Sequence, residues 1–270
     1  MMRRLTMDAA MSNTDSNTSR PSAAGQGIDA YFRAVAELQQ RALATQRELL
    51  ARVARKMADV ILAGNRIFVF GTGHSHMLAE EGYARAGGLL SVVPIFYTAL
   101  MLHESIPLSA KVERTPGLAP GLLDRSGITP PDMLFVYSNS GVNQLPVEMA
   151  VEAKRRGITT VTVGSIAFAQ VAPLSGIGKR LADVCDFAID NGGVPGDGIV
   201  SVPGLEPKVG PTSTVLGATI WNALVVETTY LLQRARGDAP VGVSFNMPNY
   251  AEYSAALAKK QTFNLAPMDL

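Results

Sequence analysis

Residues 66–76 read Arg66-Ile67-Phe68-Val69-Phe70-Gly71-Thr72-Gly73-His74-Ser75-His76. A short run of β-branched and aromatic side chains stops at a glycine, small polar residues follow, and a helical period begins at Met77. The run is apolar throughout rather than alternating, which predicts a strand covered on both faces, as in a parallel sheet. The same pattern returns at 89–96 (LLSVVPIF), although Pro94 weakens its end, and at 132–137 (DMLFVY), 158–163 (ITTVTV) and 186–190 (DFAID). Helical segments are predicted at 77–86, 146–156 and 215–233. Strands separated by helices and joined by right-handed crossovers give a doubly wound α/β fold, here a five-stranded parallel sheet flanked by helices. Upstream, 28–63 holds neither Pro nor Gly, and Tyr31, Val35, Leu38, Ala42 and Leu49 recur at helical spacings. This long segment is expected to form one helix, or two joined near Thr45, and to pack on a second subunit. The expected organisation is one domain over 28–260, a disordered tail over 1–27 rich in Ser, Thr, Asn, Ala and Gly, and a short C-terminal tail over 261–270.

Composition narrows the function classes. Of 270 residues, 24 are Lys or Arg and 23 are Asp or Glu, so the net charge is +1 and there is no basic surplus for nucleic acid. The single Cys cannot form an internal disulfide or a Cys-rich zinc site. Arg3 and Arg4 imitate the start of a signal peptide, yet no apolar run of secretory length follows, and no membrane span is expected. A cytoplasmic protein without nucleic-acid or membrane partners is the expectation. Charged residues make up only 17% of the chain, which suggests surface buried between subunits of a homodimer or homotetramer.

Ligands in doubly wound sheets sit beyond the carboxyl ends of the strands, which directs attention to loops 71–76, 97–115, 138–144 and 191–214. The first loop lacks the third glycine of a dinucleotide fingerprint, because His76 stands there, and the next strand ends in Phe96-Tyr97-Thr98 without an acid for a ribose. No Gly-Lys-Ser/Thr follows it, and Met77 breaks a Gly-x-Ser-x-Gly nucleophile elbow. What remains is a strand that delivers small residues to a helix N-terminus, where free amides attract an anion and Ser75 adds a hydroxyl. The third strand repeats the device with Ser138-Asn139-Ser140-Gly141-Val142-Asn143. Two such loops on one sheet edge describe a pocket for a phosphate monoester. Lys208-Val209-Gly210-Pro211-Thr212-Ser213-Thr214 precedes the last long helix with more hydroxyls than capping needs, and is expected to line the same pocket.

Gly-Thr-Gly-His-Ser, Ser-Asn-Ser-Gly and Gly-Pro-Thr-Ser-Thr, in this order and at these topological places, resemble the SIS domain of phosphosugar isomerases and phosphosugar-binding proteins. The similarity spans 28–260 and is greatest to a poorly characterised single-domain branch with Phe-Gly-x-Gly-His-Ser-His, Leu-His-Glu and Lys-Val-Gly-Pro-Thr-Ser-Thr, here at 70–76, 102–104 and 208–214. The resemblance implies a flavodoxin-like sheet and a sugar phosphate ligand. It implies that Ser75, Ser138, Ser140 and Asn143 hold the phosphate, with Gly73, His76 and Asn139 in the same loops. Lys208, Thr212, Ser213 and Thr214 complete the expected binding set. The pattern departs from arabinose-5-phosphate isomerases at His74, where they carry Lys, and at Leu145, where they carry Glu. It departs from sedoheptulose-7-phosphate isomerases at Arg85, although Glu81 matches their first helical position.

Aldose–ketose isomerisation through an enediol needs a base to move a proton between C1 and C2 and an acid to open the ring. His103 and Glu104 lie between Thr98 and Pro131, in a proline-rich stretch expected to form a loop over the pocket. His103 is the candidate acid, Glu104 or Glu81 the candidate base, and His74 a candidate donor beside the phosphate loop. No cofactor is expected. A zinc ion on the three histidines and nearby glutamates is the remaining metal possibility, with His74 and His76 expected to diverge across the loop–helix junction. Asp197 is expected to hold a turn. Two other readings stay open: a protein that senses a sugar phosphate without turning it over, and a lyase acting on an ether-linked or amino sugar phosphate.

Overall fold

The structure is a computed structural model describing residues 25–260 and 263–266. It opens with α1 (Gln26–Leu62), a single unbroken helix of 37 residues that begins two residues before the expected start and does not divide near Thr45. Of the expected tail over 1–27, residues 1–24 lie outside the described residues, and Gln26 and Gly27 belong to α1. There follow β1 (Ile67–Gly71), a 3-10 turn (Gly73–Ser75), α2 (His76–Gly82) and β2 (Val92–Ile95). A second 3-10 turn (Thr98–Leu100) leads to α3 (Ile106–Val112) and α4 (Ala119–Ser126). Then come β3 (Met133–Tyr137), α5 (Gln144–Arg155), β4 (Thr159–Gly164), α6 (Ile166–Val171), α7 (Leu181–Val184) and β5 (Phe187–Asp190). The chain closes with β6 (Gly198–Val200), β7 (Val209–Pro211), α8 (Ser213–Arg236) and α9 (Tyr250–Lys260).

The five long strands form one parallel sheet in the order β2-β1-β3-β4-β5. The order reverses between β1 and β3, and ligands of open α/β sheets bind at such a point. Strand parity sorts the core into two layers. Odd-numbered residues (Ile67, Val69, Met133, Phe135, Tyr137, Val161, Val163, Ile189) face α1 and α8. Even-numbered ones (Phe68, Phe70, Leu134, Val136) face α4 and α5. By length and composition alone α8 is apolar enough to cross a membrane. Here its Ile220, Trp221, Leu224, Val225 and Leu232 are buried in the core layer shared with α1.

Three segments depart from the expected pattern. The second strand keeps only Val92–Ile95, because Leu89 and Leu90 pair instead with Val241, Pro240 and Ala266. The stretch between Thr98 and Pro131 is not a loop but contains two helices. Pro107 and Pro120 stand in their first turns, where a missing N–H costs nothing, and Ser105 accepts a hydrogen bond from Leu108 N. The loop 191–214 contains the β6–β7 hairpin, which the sequence pattern does not announce. Of the expected C-terminal tail, residues 261–262 and 267–270 lie outside the described residues, while Ala266 is buried and donates its N–H to Leu90 O.

Candidate functional site

Two glycines permit the loops to close over the sheet. A Cβ on Gly71 would stand 2.3 Å from Ser75 O, so the chain can fold back over the end of β1 only with glycine there. A Cβ on Gly164 would stand 2.2 Å from Ser138 O, which fixes the path of the second loop in the same way. Both loops therefore lie against the carboxyl edge where β1, β3 and β4 end together, Gly71 opposite Tyr137 and Tyr137 opposite Val163.

On the α8 side of this edge lies a small pocket lined by Ser75, Leu78, Tyr137, Asn139, Val163, Asn191, Ser213, Thr214 and Gly217. Strand parity aims Tyr137, Asn139, Val163 and Asn191 into it, and the N-terminal turns of α8 roof it. Its lining carries no Lys, Arg, Asp or Glu, so an anion held here meets neutral donors only. The polar groups form an ordered chain. Gly193 N donates to Asn191 Oδ1 at 2.8 Å, and Asn191 Nδ2 donates to Asn139 Oδ1 at 3.0 Å. Asn139 Nδ2 and the Tyr137 hydroxyl are buried and have no hydrogen-bond partner among the described residues. Burial pushes the Tyr137 phenol well above the ordinary tyrosine range, so it stays protonated.

Asp197 does more than hold its turn. At φ 68° it occupies the left-handed region, and its carboxylate closes the start of α8. Oδ1 accepts from Thr212 N at 3.0 Å and Ser213 N at 2.8 Å, and Oδ2 accepts from Ser213 Oγ at 2.6 Å. Thr212 is buried and also donates its hydroxyl to Asp197. The expected surplus of hydroxyls in 212–214 is thus largely consumed by one carboxylate, and this helix end is already neutralised. Ser213 reaches the pocket as an acceptor, and only the Thr214 hydroxyl remains to donate. Lys208 is exposed on the β6–β7 hairpin and is not part of the pocket lining.

The remaining expected residues divide. Ser138 is buried on the α5 side, where its Oγ accepts from Gly141 N at 3.2 Å, while Ser140 and Asn143 stay half-buried in that turn. Gly73 adopts φ 54°, His74 is exposed and His76 turns inward. His76 Nδ1 lies 2.5 Å from Gly73 O, its Nε2 lies 3.4 Å from Glu80 Oε1, and its ring centroid is 6.0 Å from that of His103. His74 and His76 diverge, and no three His, Cys, Asp or Glu side chains are grouped for a metal ion among the described residues. His103 and Glu104 are exposed just before α3. Glu81 is tied between Arg85 Nε and Asn222 Nδ2, both at 3.0 Å, and so bridges α2 and α8 rather than lining the pocket.

The sequence reading did not single out Tyr137, Asn191 or Gly217, although continuing the period of two from Phe135 through Tyr137 to Asn139 places the first beside the pocket. It also passed over Glu113. The Thr72 hydroxyl donates to Glu113 Oε1 and Leu145 N donates to Glu113 O at 3.0 Å, which sets this carboxylate against the first loop. No spacing links Glu113 to that loop, 41 residues away.

Comparison with known proteins agrees with this architecture. Residues 30–165 match the SIS domain family. A UPF0309 protein of Brucella anthropi is 39% identical over 213 residues, covering 79% of this chain and 87% of that one. A UPF0309 protein of Geobacillus thermodenitrificans is 36% identical over 234 residues, 86% of this chain and 94% of that one. Among solved structures, a phosphoheptose isomerase from Neisseria gonorrhoeae superposes with a TM-score of 0.51 at 15% identity, covering 79% of this chain and 98% of the other. One from Francisella tularensis gives 0.50 at 15% identity, over 75% and 96%. These two likenesses speak for the fold.

Proposed function

Since the chain belongs to the SIS-domain family and, within it, to the UPF0309 proteins, we propose that it binds a sugar phosphate at this sheet edge and interconverts its aldose and ketose forms. The observation that carries the reading is the convergence of Ser75, Asn139, Ser213 and Thr214, from three separate loops, on one small pocket without charged side chains. Hydroxyls and side-chain amides of this kind suit a phosphate monoester and a polyol. The fold shared with two phosphoheptose isomerases fits this reading.

In the proposed reaction His103 opens the ring as acid, and a carboxylate moves the proton between C1 and C2. Glu104 takes that role in preference to Glu81, whose carboxylate is held by Arg85 and Asn222. Exposed Ile28, Phe32 and Leu43 on α1 and Val226 and Tyr230 on α8 support a homodimer or homotetramer. The sensing alternative draws on a specific observation: no carboxylate or imidazole lines the pocket walls.

The test is incubation of the protein with a panel of aldose and ketose phosphates in deuterated water. Deuterium entering at C2, and lost in His103→Ala, is the expected outcome. Tight binding without exchange supports the sensor, release of a substituent supports a lyase, and no binding by any sugar phosphate overturns the proposal.

A further inference from the structure

Tyr137 is 1% exposed, stacked on Phe135 with ring centroids 6.3 Å apart, and its hydroxyl has no partner among the described residues. Buried hydroxyls almost always find a partner, and of the buried polar atoms without one among the described residues only the Tyr137 hydroxyl and Asn139 Nδ2 belong to residues lining this pocket. The neighbouring amide is in the same state for a reason that can be followed atom by atom. Gly193 N occupies Asn191 Oδ1, so Asn191 must present its Nδ2 to Asn139; Asn139 must then offer Oδ1 in return, which turns its Nδ2 into the pocket. Two neutral donors thus face one small pocket. Both sit on the α8 side of the sheet, whereas Ser138 closes its own turn on the α5 side.

We propose that the Tyr137 hydroxyl and Asn139 Nδ2 form a two-donor hole for the carbonyl oxygen of an open-chain sugar phosphate. The inference rests on the isomerase reading and deepens it. When a base removes the proton from the carbon beside the carbonyl, that C–H electron pair becomes a C=C bond and the carbonyl π pair moves onto oxygen. The oxyanion then accepts from both donors. Returning the proton to the former carbonyl carbon, with proton exchange between the two oxygens, gives the isomeric carbonyl and balances the reaction. Fixed neutral donors suit this task, because they hold developing charge without binding an anion tightly beforehand. Burial, which keeps the phenol protonated, preserves the donor at every working pH.

The test compares wild type with Tyr137→Phe, which retains the ring and its packing. Three probes are titrated calorimetrically: inorganic phosphate, a pentitol 5-phosphate without a carbonyl, and a phosphorylated aldonohydroxamate shaped like the enediolate. Affinity for the hydroxamate should fall about tenfold or more, while phosphate and pentitol phosphate change by less than about twofold. The ligand-free unfolding midpoint should stay level or rise, since a buried hydroxyl without a partner has been removed. Equal losses on all three probes, no loss on the hydroxamate, or a midpoint several degrees lower would each overturn the inference and leave sugar-phosphate binding standing. A wild type that binds none of the three would instead bring down the sugar-phosphate reading itself, and this inference with it.

Discussion

The two ends of strands β3 and β4 handle buried polarity in opposite ways. At the amino edge, Asp132 is 3% exposed, and its carboxylate accepts from Arg66 N at 2.8 Å and Thr129 N at 2.9 Å. Asp186 accepts from Thr160 N at 2.9 Å and Oγ1 at 3.0 Å and pairs with Lys154 Nζ at 2.9 Å. Burial alone would raise the Asp186 pKa, but the Thr160 and Lys154 bonds outweigh it and hold the carboxyl below its ordinary range. At the carboxyl edge, five residues and roughly 17 Å along β3 from Asp132 at a rise of about 3.3 Å per residue, the polar groups are neutral, and Tyr137 and Asn139 each retain a donor without a partner among the described residues. At the amino edge the buried carboxylates of Asp132 and Asp186 find their donors within the chain. Neutral donors are left open where a ligand can satisfy them.

Breaking the saturated end should cost the most. Asp132→Ala strands two backbone N–H groups, and we expect a loss of about 3 kcal/mol of stability, read by urea unfolding, with ligand affinity unchanged in the fraction that remains folded. A large affinity loss there would erase the contrast between the two edges. Asp197→Asn sharpens it at the pocket: asparagine tolerates the left-handed backbone and keeps one oxygen for the Thr212 and Ser213 amides, but its amide nitrogen cannot accept the Ser213 hydroxyl. Stability should fall by about 1 kcal/mol, and calorimetric binding of a pentitol 5-phosphate should shift severalfold as Ser213 changes from acceptor to donor. Unchanged binding would show that Ser213 does not touch the ligand.

The smallest effect belongs to a third class of polar group, paired but on an outer helix face. Glu152 takes hydrogen bonds from Arg155 and Arg156, which lower its pKa to about 2 against an ordinary value of 4.5. The folded carboxylate therefore releases its proton more readily than the unfolded one, so the pair stabilises above about pH 4.5 and its contribution disappears as the pH falls toward 2. Glu152→Gln should cost about 0.5 kcal/mol near neutrality and flatten the acid limb of stability in that window. A cost as large as that of Asp132→Ala would mean that pairing with arginine side chains, rather than with backbone N–H groups, does not separate the two classes.

Much of this was legible in the residues. Apolar runs such as RIFVF and DMLFVY marked buried parallel strands, and Gly71 and Ser138–Gly141 marked the edge where loops gather. What escaped notice depended on distant partners or on double meanings. Tyr137 in an apolar run reads as core, and only its parity with Asn139 shows that its hydroxyl ends at the pocket. Pro107 and Pro120 read as loop residues because proline breaks helices, yet in a first turn it starts them. Thr212–Thr214 looked like three free hydroxyls because Asp197, 15 residues earlier, does not announce that it folds back over them. Glu81 has the right spacing for the site, but Arg85 and Asn222 claim it.

The long first helix has a kinetic consequence. Tyr31 donates to Pro211 O and Gln39 to Thr219, each across 180 residues, and Thr228 reaches back 174 residues to Ala54. The part of α1 around Tyr31 and Gln39 is synthesised well before its bonded partners on β7 and α8. Closing loops of that length is slow, and contacts so far apart in sequence form late in folding. The same last helix supplies Ser213, Thr214 and Gly217 to the pocket. Docking of α1 on α8 and creation of the binding site are therefore a single late event, and a ligand captured there would hold these two distant helices together.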